Sequence, residues 1–356
     1  MTVVPTVDLR PDYRISRIIK GGWQLAGDHG AVDRAAAIRD MVAFVEAGIT
    51  TFDCADIYTG VEEMIGNFLQ ELRQSRGSIA ADRIHVHTKY VPDATALYEI
   101  DQCRVEAGID RSLERLGVER LDLVQFHWWD YEVPGALDAL CHLQQLKDKG
   151  KIRQLGLTNF DLDHVKQFVE SGIDILSVQV QFSLLDQRPA GRFAEFCQEH
   201  DIAIFAYGTL AGGFFSKRWL GASDPGYAFD NRSLIKYRLI IDEFGGWPLF
   251  QELLSVLNAV AERHEVSIAN VALRVMLDHE DLAASILGAR YAHHLRDNLK
   301  ALAFAPSETD RKDLAAVLAK RRGPAGAVFG LERDRITPHG RIFKKNLHAN
   351  PADASA

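Results

Sequence analysis

Cysteine is scarce: four among 356 residues, at Cys54, Cys103, Cys141 and Cys197, with no C-x-x-C spacing. A chain this long does not need disulfide staples, so the four read as reduced thiols rather than as a redox pair or a zinc site. No apolar run is long enough to span a bilayer. The opening MTVVPTVDLRPDYRIS lacks a basic stretch followed by an apolar core, so a cytoplasmic protein with no membrane partner is expected. Positive charge is also short, with Lys+Arg 41 against Asp+Glu 49 and a net of −8. That balance offers no basic face for nucleic acid, although a local cluster can still hold one phosphate. A Gly-rich dinucleotide turn is missing too: the first β-rich run leads into IIKGGWQLAGDHG, which carries no G-x-G-x-x-G opening a helix. A Rossmann site is therefore disfavoured, and any nucleotide must bind in another way.

With 47% hydrophobic and 25% charged residues, the chain has the composition of an ordinary globular protein. From Arg17 onward, short β-rich runs (RIIK, TTFDC, IHVHTK, LDLVQF, IRQLGL, ILSVQ, IAIFAY and ASILGA) alternate with longer runs of helical period. Gly48, Gly117, Gly150 and Gly172 each close a helical run just before a strand, where a left-handed residue is commonly needed. Asp33 and Asp161 suit helix N-caps. Eight βα units predict an α/β fold, a (β/α)₈ barrel over residues 1–322 with a loop at about 212–248. The tail, residues 323–356, begins apolar and ends polar and frayed. The 212–248 stretch, holding Phe214, Phe215, Arg218, Trp219, Arg232 and Trp247, is read either as a lid or as an insertion without function.

Barrel chemistry sits at the C-terminal ends of strands. There stand Asp53, Lys89 and His127, with Tyr58 in the loop after Asp53. An ammonium beside a tyrosine lowers its pKa, and a carboxylate can hold that ammonium. Asp53 would orient Lys89, Lys89 tune Tyr58, Tyr58 act as general acid, and neutral His127 hydrogen-bond a carbonyl oxygen. Each residue alone has a plainer reading, since strand-end Asp and Lys often form structural ion pairs. Cys54 should face the helical shell, because neighbouring strand residues alternate. His85-Val86-His87 mimics a metal pair, but nothing completes a ligand set, so no metal is expected and the two histidines should fill inner barrel layers.

The motifs TFDCADIY, HTK, FHWWD, GLTNF, VQVQFSLL and AYGTLAGG occur in that order, and from about Ile18 to Leu302 the chain resembles the aldo-keto reductase family. The resemblance implies a TIM barrel, the tetrad Asp53, Tyr58, Lys89 and His127, and nicotinamide dependence. By position it implies cofactor contacts from Gly22, Trp23 and Asp53. Thr158 and Asn159 match the carboxamide pair, Gln179 the strand-six glutamine, and Tyr207 the stacking tyrosine. Leu210, Gly212 and Arg218 lie near the matching positions of the pyrophosphate turn, and Gly208 and Thr209 stand where the family usually has Ser and Pro, so that contact there would use backbone amides. Gly288, Arg290, His294 and Asn298 match the adenosine-phosphate site, where Gly288 and Ala289 replace the commoner Lys and Ser. NADPH is the implied preference, with NADH as the other option. Trp23 and Trp128 join Tyr58 and His127 as walls for an apolar carbonyl or alcohol, unless one of Trp128 and Trp129 packs under the helices. The resemblance leaves open the direction of reaction, a nucleotide-sensing subunit with little turnover, and a monomer or small homo-oligomer.

Overall fold

Two strands precede the first run marked above. In the structure, a computed structural model that describes residues 4–26, 32–288 and 291–342, β1 (Thr6–Arg10) and β2 (Tyr13–Ser16) pair as an antiparallel hairpin. The eight expected strands follow: β3 (Ile18–Gly21), β4 (Thr51–Asp53), β5 (His85–Tyr90), β6 (Leu121–Phe126), β7 (Ile152–Thr158), β8 (Ile175–Gln181), β9 (Ala203–Tyr207) and β10 (Leu282–Leu287). Each lies parallel to the next, and β10 returns to pair with β3, so the sheet closes into the (β/α)₈ barrel. Both faces of a closed parallel sheet are covered, which is why nearly every position of these strands is buried, polar residues such as His87, Lys89, Gln125 and Gln179 included.

Outside the barrel pack α1 (Arg34–Glu46), α2 (Val61–Arg76), the short α3 (Ser78–Ala81), α4 (Gln102–Leu116), α5 (Ala136–Asp148), α6 (Leu162–Glu170) and α7 (Arg192–Glu199). The Asp33 and Asp161 carboxylates accept from the backbone N–H of Ala36 and His164, the caps expected of them. All four helix-closing glycines have positive φ.

Residues 212–248 are not the loop that their glycines and aromatics suggest. They contain α8 (Arg232–Phe244), capped at its start by the Asn231 side chain and anchored by buried Tyr237, Ile240, Ile241 and Phe244. Then α9 (Trp247–Arg263) and α10 (Ile268–Leu277) lead to β10, and α11 (Leu295–Asn298) and α12 (Glu308–Leu318) follow it. The early tail folds back over the barrel through α13 (Gly330–Arg333) and α14 (Pro338–Arg341), with Phe329 and Glu332 buried. The frayed end expected of the tail, residues 343–356, lies outside the described residues.

The hairpin closes the lower end of the barrel. Tyr13 and Ile15 enter an inner cluster with Ile19, Leu123, Leu176, Phe205 and Ala284. The Tyr13 ring stacks on His85 (4.6 Å between centroids), and His87 lies between Tyr13 (6.2 Å) and Phe205 (5.4 Å). The two histidines of the mock metal motif thus fill inner barrel layers. Among the described residues no group of three His, Cys, Asp or Glu side chains is placed to hold a metal, and no helix is long and apolar enough to cross a membrane.

Candidate active site

Strand parity decides which side chains enter the barrel. Asp53 faces Lys89 across β4 and β5, and Cys54 turns out into the helical core, as alternation requires. The Lys89 ammonium donates to Asp53 Oδ1 (2.8 Å), Asp53 Oδ2 (2.7 Å) and the Cys54 carbonyl (2.8 Å). Asp53 Oδ1 also accepts from the carboxamides of Gln125 (3.0 Å) and Gln179 (2.6 Å). A buried ion pair is tolerable only when its remaining bonds are met, and here they are. Burial works against the charge on Lys89, but Asp53 and Tyr58 outweigh it, and the ammonium pKa ends above its ordinary value.

With three acceptors taken, Lys89 reaches Tyr58 through its field; Nζ is 5.3 Å from the centre of the phenol ring. That field is weaker than the sequence suggests. Burial pushes the Tyr58 pKa up to about 12, Lys89 pulls it down, and Asp53 pushes it up again. The lowered value expected of a tyrosine beside an ammonium is not found, because burial outweighs the pull of Lys89 and the Asp53 carboxylate offsets part of that pull. Tyr58 is therefore a protonated phenol at neutral pH, its ring edge-on to Trp23 at 5.1 Å.

His127 follows β6, with Nδ1 3.1 Å from the Thr158 carbonyl oxygen. A carbonyl only accepts, so Nδ1 carries the proton of the neutral ring and Nε2 keeps its lone pair. Burial, then the Arg333 charge, push the His127 pKa down to about 3, so the ring is neutral as expected. Its one N–H is spent on Thr158, which leaves Nε2 to accept a hydrogen bond rather than to donate one to a carbonyl.

These four groups share a cavity of about 580 Å³, also lined by Trp23, Thr158, Asn159, Gln179, Tyr207, Gly208, Leu210, Gly212 and Gly288. The Tyr207 hydroxyl donates to Asn159 Oδ1 (2.8 Å), and Asn159 holds a left-handed backbone, φ 63. Gly208 and Gly212 also have positive φ, and a Cβ on either would meet the Tyr237 ring or hydroxyl at 2.5 Å. Gly288 sits against the Gln24 carboxamide, where a Cβ would be 2.1 Å from Nε2.

Other sequence-marked positions lie away from the cavity wall. Gly22 is a turn residue whose N–H donates to the Asp53 carbonyl, and its neighbour Gly21 lines the cavity instead. The Arg218 guanidinium lies over the Trp219 ring at 4.8 Å. His294 and Asn298 belong to the turn and short helix after β10 and do not line the cavity; Arg290 lies outside the described residues. Trp128 is not a substrate wall. It is wholly buried beside Phe126, its indole N–H donating to the Val133 carbonyl (2.9 Å), while Trp129 lines the cavity edge-on to His127 at 4.7 Å. The inward parity of Leu123, Gln125 and His127 runs on to residue 129, and that alternation was the available signal.

Two groups of residues at or behind the cavity wall carry no motif. Asn231, Arg232, Ser233, Lys236 and Tyr237 come from the start of α8. Burial lowers the Lys236 pKa to about 8; its ammonium lies 4.7 Å over the Tyr207 ring and 3.4 Å from that hydroxyl. Asn231 as a cap, with cations at Arg232 and Lys236 one helical turn apart, was a readable signal. The second group is the tail, of which Ile342 lines the cavity and the residues before it pack behind the wall. Glu332 forms a buried pair with Arg188, which also grips Asp186, and the Phe329 ring is edge-on to His127 at 6.0 Å. The charged run LERDR reads as a solvated face, so this group was hidden.

The cavity's carboxylate, Asp53, is covered by Lys89, and Arg232 and Lys236 add positive charge near the amides of the Gly208–Gly213 turn. This donor set, with the flat Tyr207 ring, fits an anionic dinucleotide.

A model of the aldo/keto reductase family matches residues 17–319. An NADH-specific methylglyoxal reductase of Escherichia coli K12 is 25% identical over 320 residues, covering 84% of this chain and 93% of that protein. An aldo-keto reductase of Bacillus subtilis is 26% identical over 322 residues, covering 88% and 93%. Flagellar radial spoke protein 5 of Chlamydomonas reinhardtii is 30% identical over 259 residues, 63% of this chain, which spans about half of that protein, 49%. In fold alone, the glycerol dehydrogenase of Gluconobacter oxydans matches with a TM-score of 0.73 at 23% identity, over 90% of this chain and 97% of that one. With the family match running over most of its length, the chain belongs to the aldo/keto reductase family, whose enzymes carry out nicotinamide-dependent oxidoreduction of carbonyls.

Proposed function

We propose that the protein is a cytoplasmic NADPH-dependent reductase that converts an apolar aldehyde or ketone to its alcohol, or runs the reverse, with Tyr58 as the proton donor. The observation that carries this reading is the buried, fully hydrogen-bonded Asp53–Lys89 pair beside Tyr58 and His127 on one cavity wall. A bound nicotinamide would supply the hydride. Thr158, Asn159 and Gln179 would hold its carboxamide, Tyr207 its ring, and the Gly208–Gly213 turn with Arg232 its phosphates. Arg290 is the candidate for a 2′-phosphate. NADH is the alternative, supported by the name of the Escherichia coli relative.

In reduction, Tyr58 is protonated over the whole neutral range and gives its proton to the carbonyl oxygen as charge develops there. The phenolate left behind faces the Lys89 ammonium, which stabilises it before solvent reprotonates it. His127 Nε2 accepts from the new hydroxyl and so fixes the oxygen of the alcohol. Trp23, Ile57, Val91 and Trp129 supply apolar walls that exclude water and suit a neutral, apolar substrate. Oxidation needs the Tyr58 proton removed first. Its rate should rise with pH toward about 12, while reduction stays flat near neutrality; paired pH–rate profiles check this.

Tryptophan fluorescence titration with NADPH, NADH and their oxidised forms, run beside Tyr58→Phe on 4-nitrobenzaldehyde, tests the reading. Saturable quenching by NADPH, with turnover lost in a variant that still binds, supports it. Binding without turnover by the wild type favours a nucleotide-sensing subunit, and no binding at all rejects the reductase reading.

A further inference from the structure

The tail reaches the reaction centre through one side chain. Arg333, on α13, donates from one guanidinium nitrogen to the carbonyls of Trp128 (2.6 Å) and Trp129 (3.0 Å), and from another to the carbonyl of Asn159 (2.8 Å). Its guanidinium lies 3.7 Å over the Tyr131 ring. The three carbonyls belong to two loops, the one after β6 that begins with His127 and the one after β7 that begins with Asn159. At the roots of those two loops His127 Nδ1 meets the carbonyl of Thr158, the last residue of β7.

Burying a guanidinium is costly, and three carbonyl acceptors repay part of that cost only when all three converge. A planar fork fixes them in one geometry, which a flexible ammonium would not. The Asn159 backbone is in the left-handed region that L residues rarely adopt; its N–H is tied to the Gln179 carbonyl and its own carbonyl to Arg333. Among the described residues, the two ties straddle the strained residue.

We propose that Arg333 is a positioning residue that staples the β6 and β7 loops together, and so sets the tautomer and orientation of His127 and the backbone of Asn159. The inference rests on the reading of His127 as part of the reaction centre. The effect acts through backbone carbonyls, so it is distinct from the docking of the tail as a whole, to which Glu332 contributes through Arg188. The titratable and charged groups around His127 are Asp53, Tyr58 and Lys89 on the cavity wall, Lys236 beyond Phe329, and Arg333, itself flanked by Asp130 and Asp161.

The test is ¹⁵N NMR of the His127 imidazole in the cofactor-free full chain, beside steady-state kinetics, for wild type, Arg333→Met, Arg333→Lys and Glu332→Gln. The wild type should show Nδ1–H. Arg333→Met should show mixed tautomers, and kcat should fall about tenfold to a hundredfold, the scale of a displaced reacting group, with KM for the carbonyl nearly unchanged. Arg333→Lys keeps the charge without the fork, so it should keep His127 neutral but leave the tautomer mixed; it carries the test if the methionine variant does not fold. Glu332→Gln should leave the His127 spectrum as in wild type. An unchanged tautomer in Arg333→Met, full restoration by lysine, or an equal effect of Glu332→Gln overturns the proposal. The spectra stand without turnover, so a failure of the reductase reading would appear separately, as a wild type that binds no nicotinamide or reduces no carbonyl.

Discussion

His87 and His127 are both wholly inside the barrel, and burial pushes both well below the ordinary histidine range. At the lower end, His87 is pressed between Tyr13 and Phe205, and neither ring nitrogen has a hydrogen-bond partner among the described residues. At the upper end, His127 has one nitrogen on Thr158 and borders the cavity. A displaced pKa alone therefore does not mark a site, because desolvation acts alike at both ends. A shared cavity and a directed hydrogen bond are what separate chemistry from packing.

The largest expected difference between the ends is catalytic. Lys89→Met should lower kcat about a thousandfold while nucleotide binding survives, the range typical for losing a group that stabilises developing charge. His87→Phe should leave kcat within about twofold; a large loss there would erase the contrast. Steady-state assays with fluorescence titration decide both.

Next come the adjacent tryptophans. Trp129→Ala should raise KM for apolar carbonyls several-fold with little change in melting temperature. Trp128→Ala, which empties a wholly buried site, should cost about 3–5 kcal/mol of stability. Thermal melts set beside KM values separate the two, and the reverse pattern would move the mouth of the cavity to the other indole.

The smallest effect concerns acid. Folded His87 and His127 stay neutral below the ordinary histidine pKa of about 6.5, whereas the unfolded chain protonates them there. The unfolded state then binds more protons, so stability present above about pH 6.5 falls as pH drops toward the folded values. His87→Phe removes one of these groups and should flatten the decline of the urea midpoint between about pH 6.5 and 4. It should also gain about 1 kcal/mol at pH 7 by deleting two unbonded buried nitrogens.

The barrel was legible because eight short β-rich runs alternate with longer runs of helical period, and the helix-closing glycines and Asp33 and Asp161 mark their borders. The inward set Asp53, Lys89 and His127 was legible from strand ends alone. The hairpin was not, because two short strands joined at Arg10-Pro11-Asp12 hold too few residues to show a period. Helix α8 was masked by Gly245 and Gly246 at its end and by the Pro-, Gly- and aromatic-rich stretch before its Asn231 cap. The direction of the Tyr58 shift needed the depth of burial, which no local pattern carries. Arg333 was illegible because its acceptors are backbone carbonyls, and every sequence has those.

The two ends of the described chain stand at opposite poles of the barrel: the β1–β2 hairpin plugs its base, and Ile342 borders the cavity at its top. A reporter or affinity handle attached ahead of Thr6 would hang beneath the floor, clear of the opening. One joined directly to Ile342 would start at the doorway, so immobilisation at that point should slow the passage of bulky carbonyls more than of small ones.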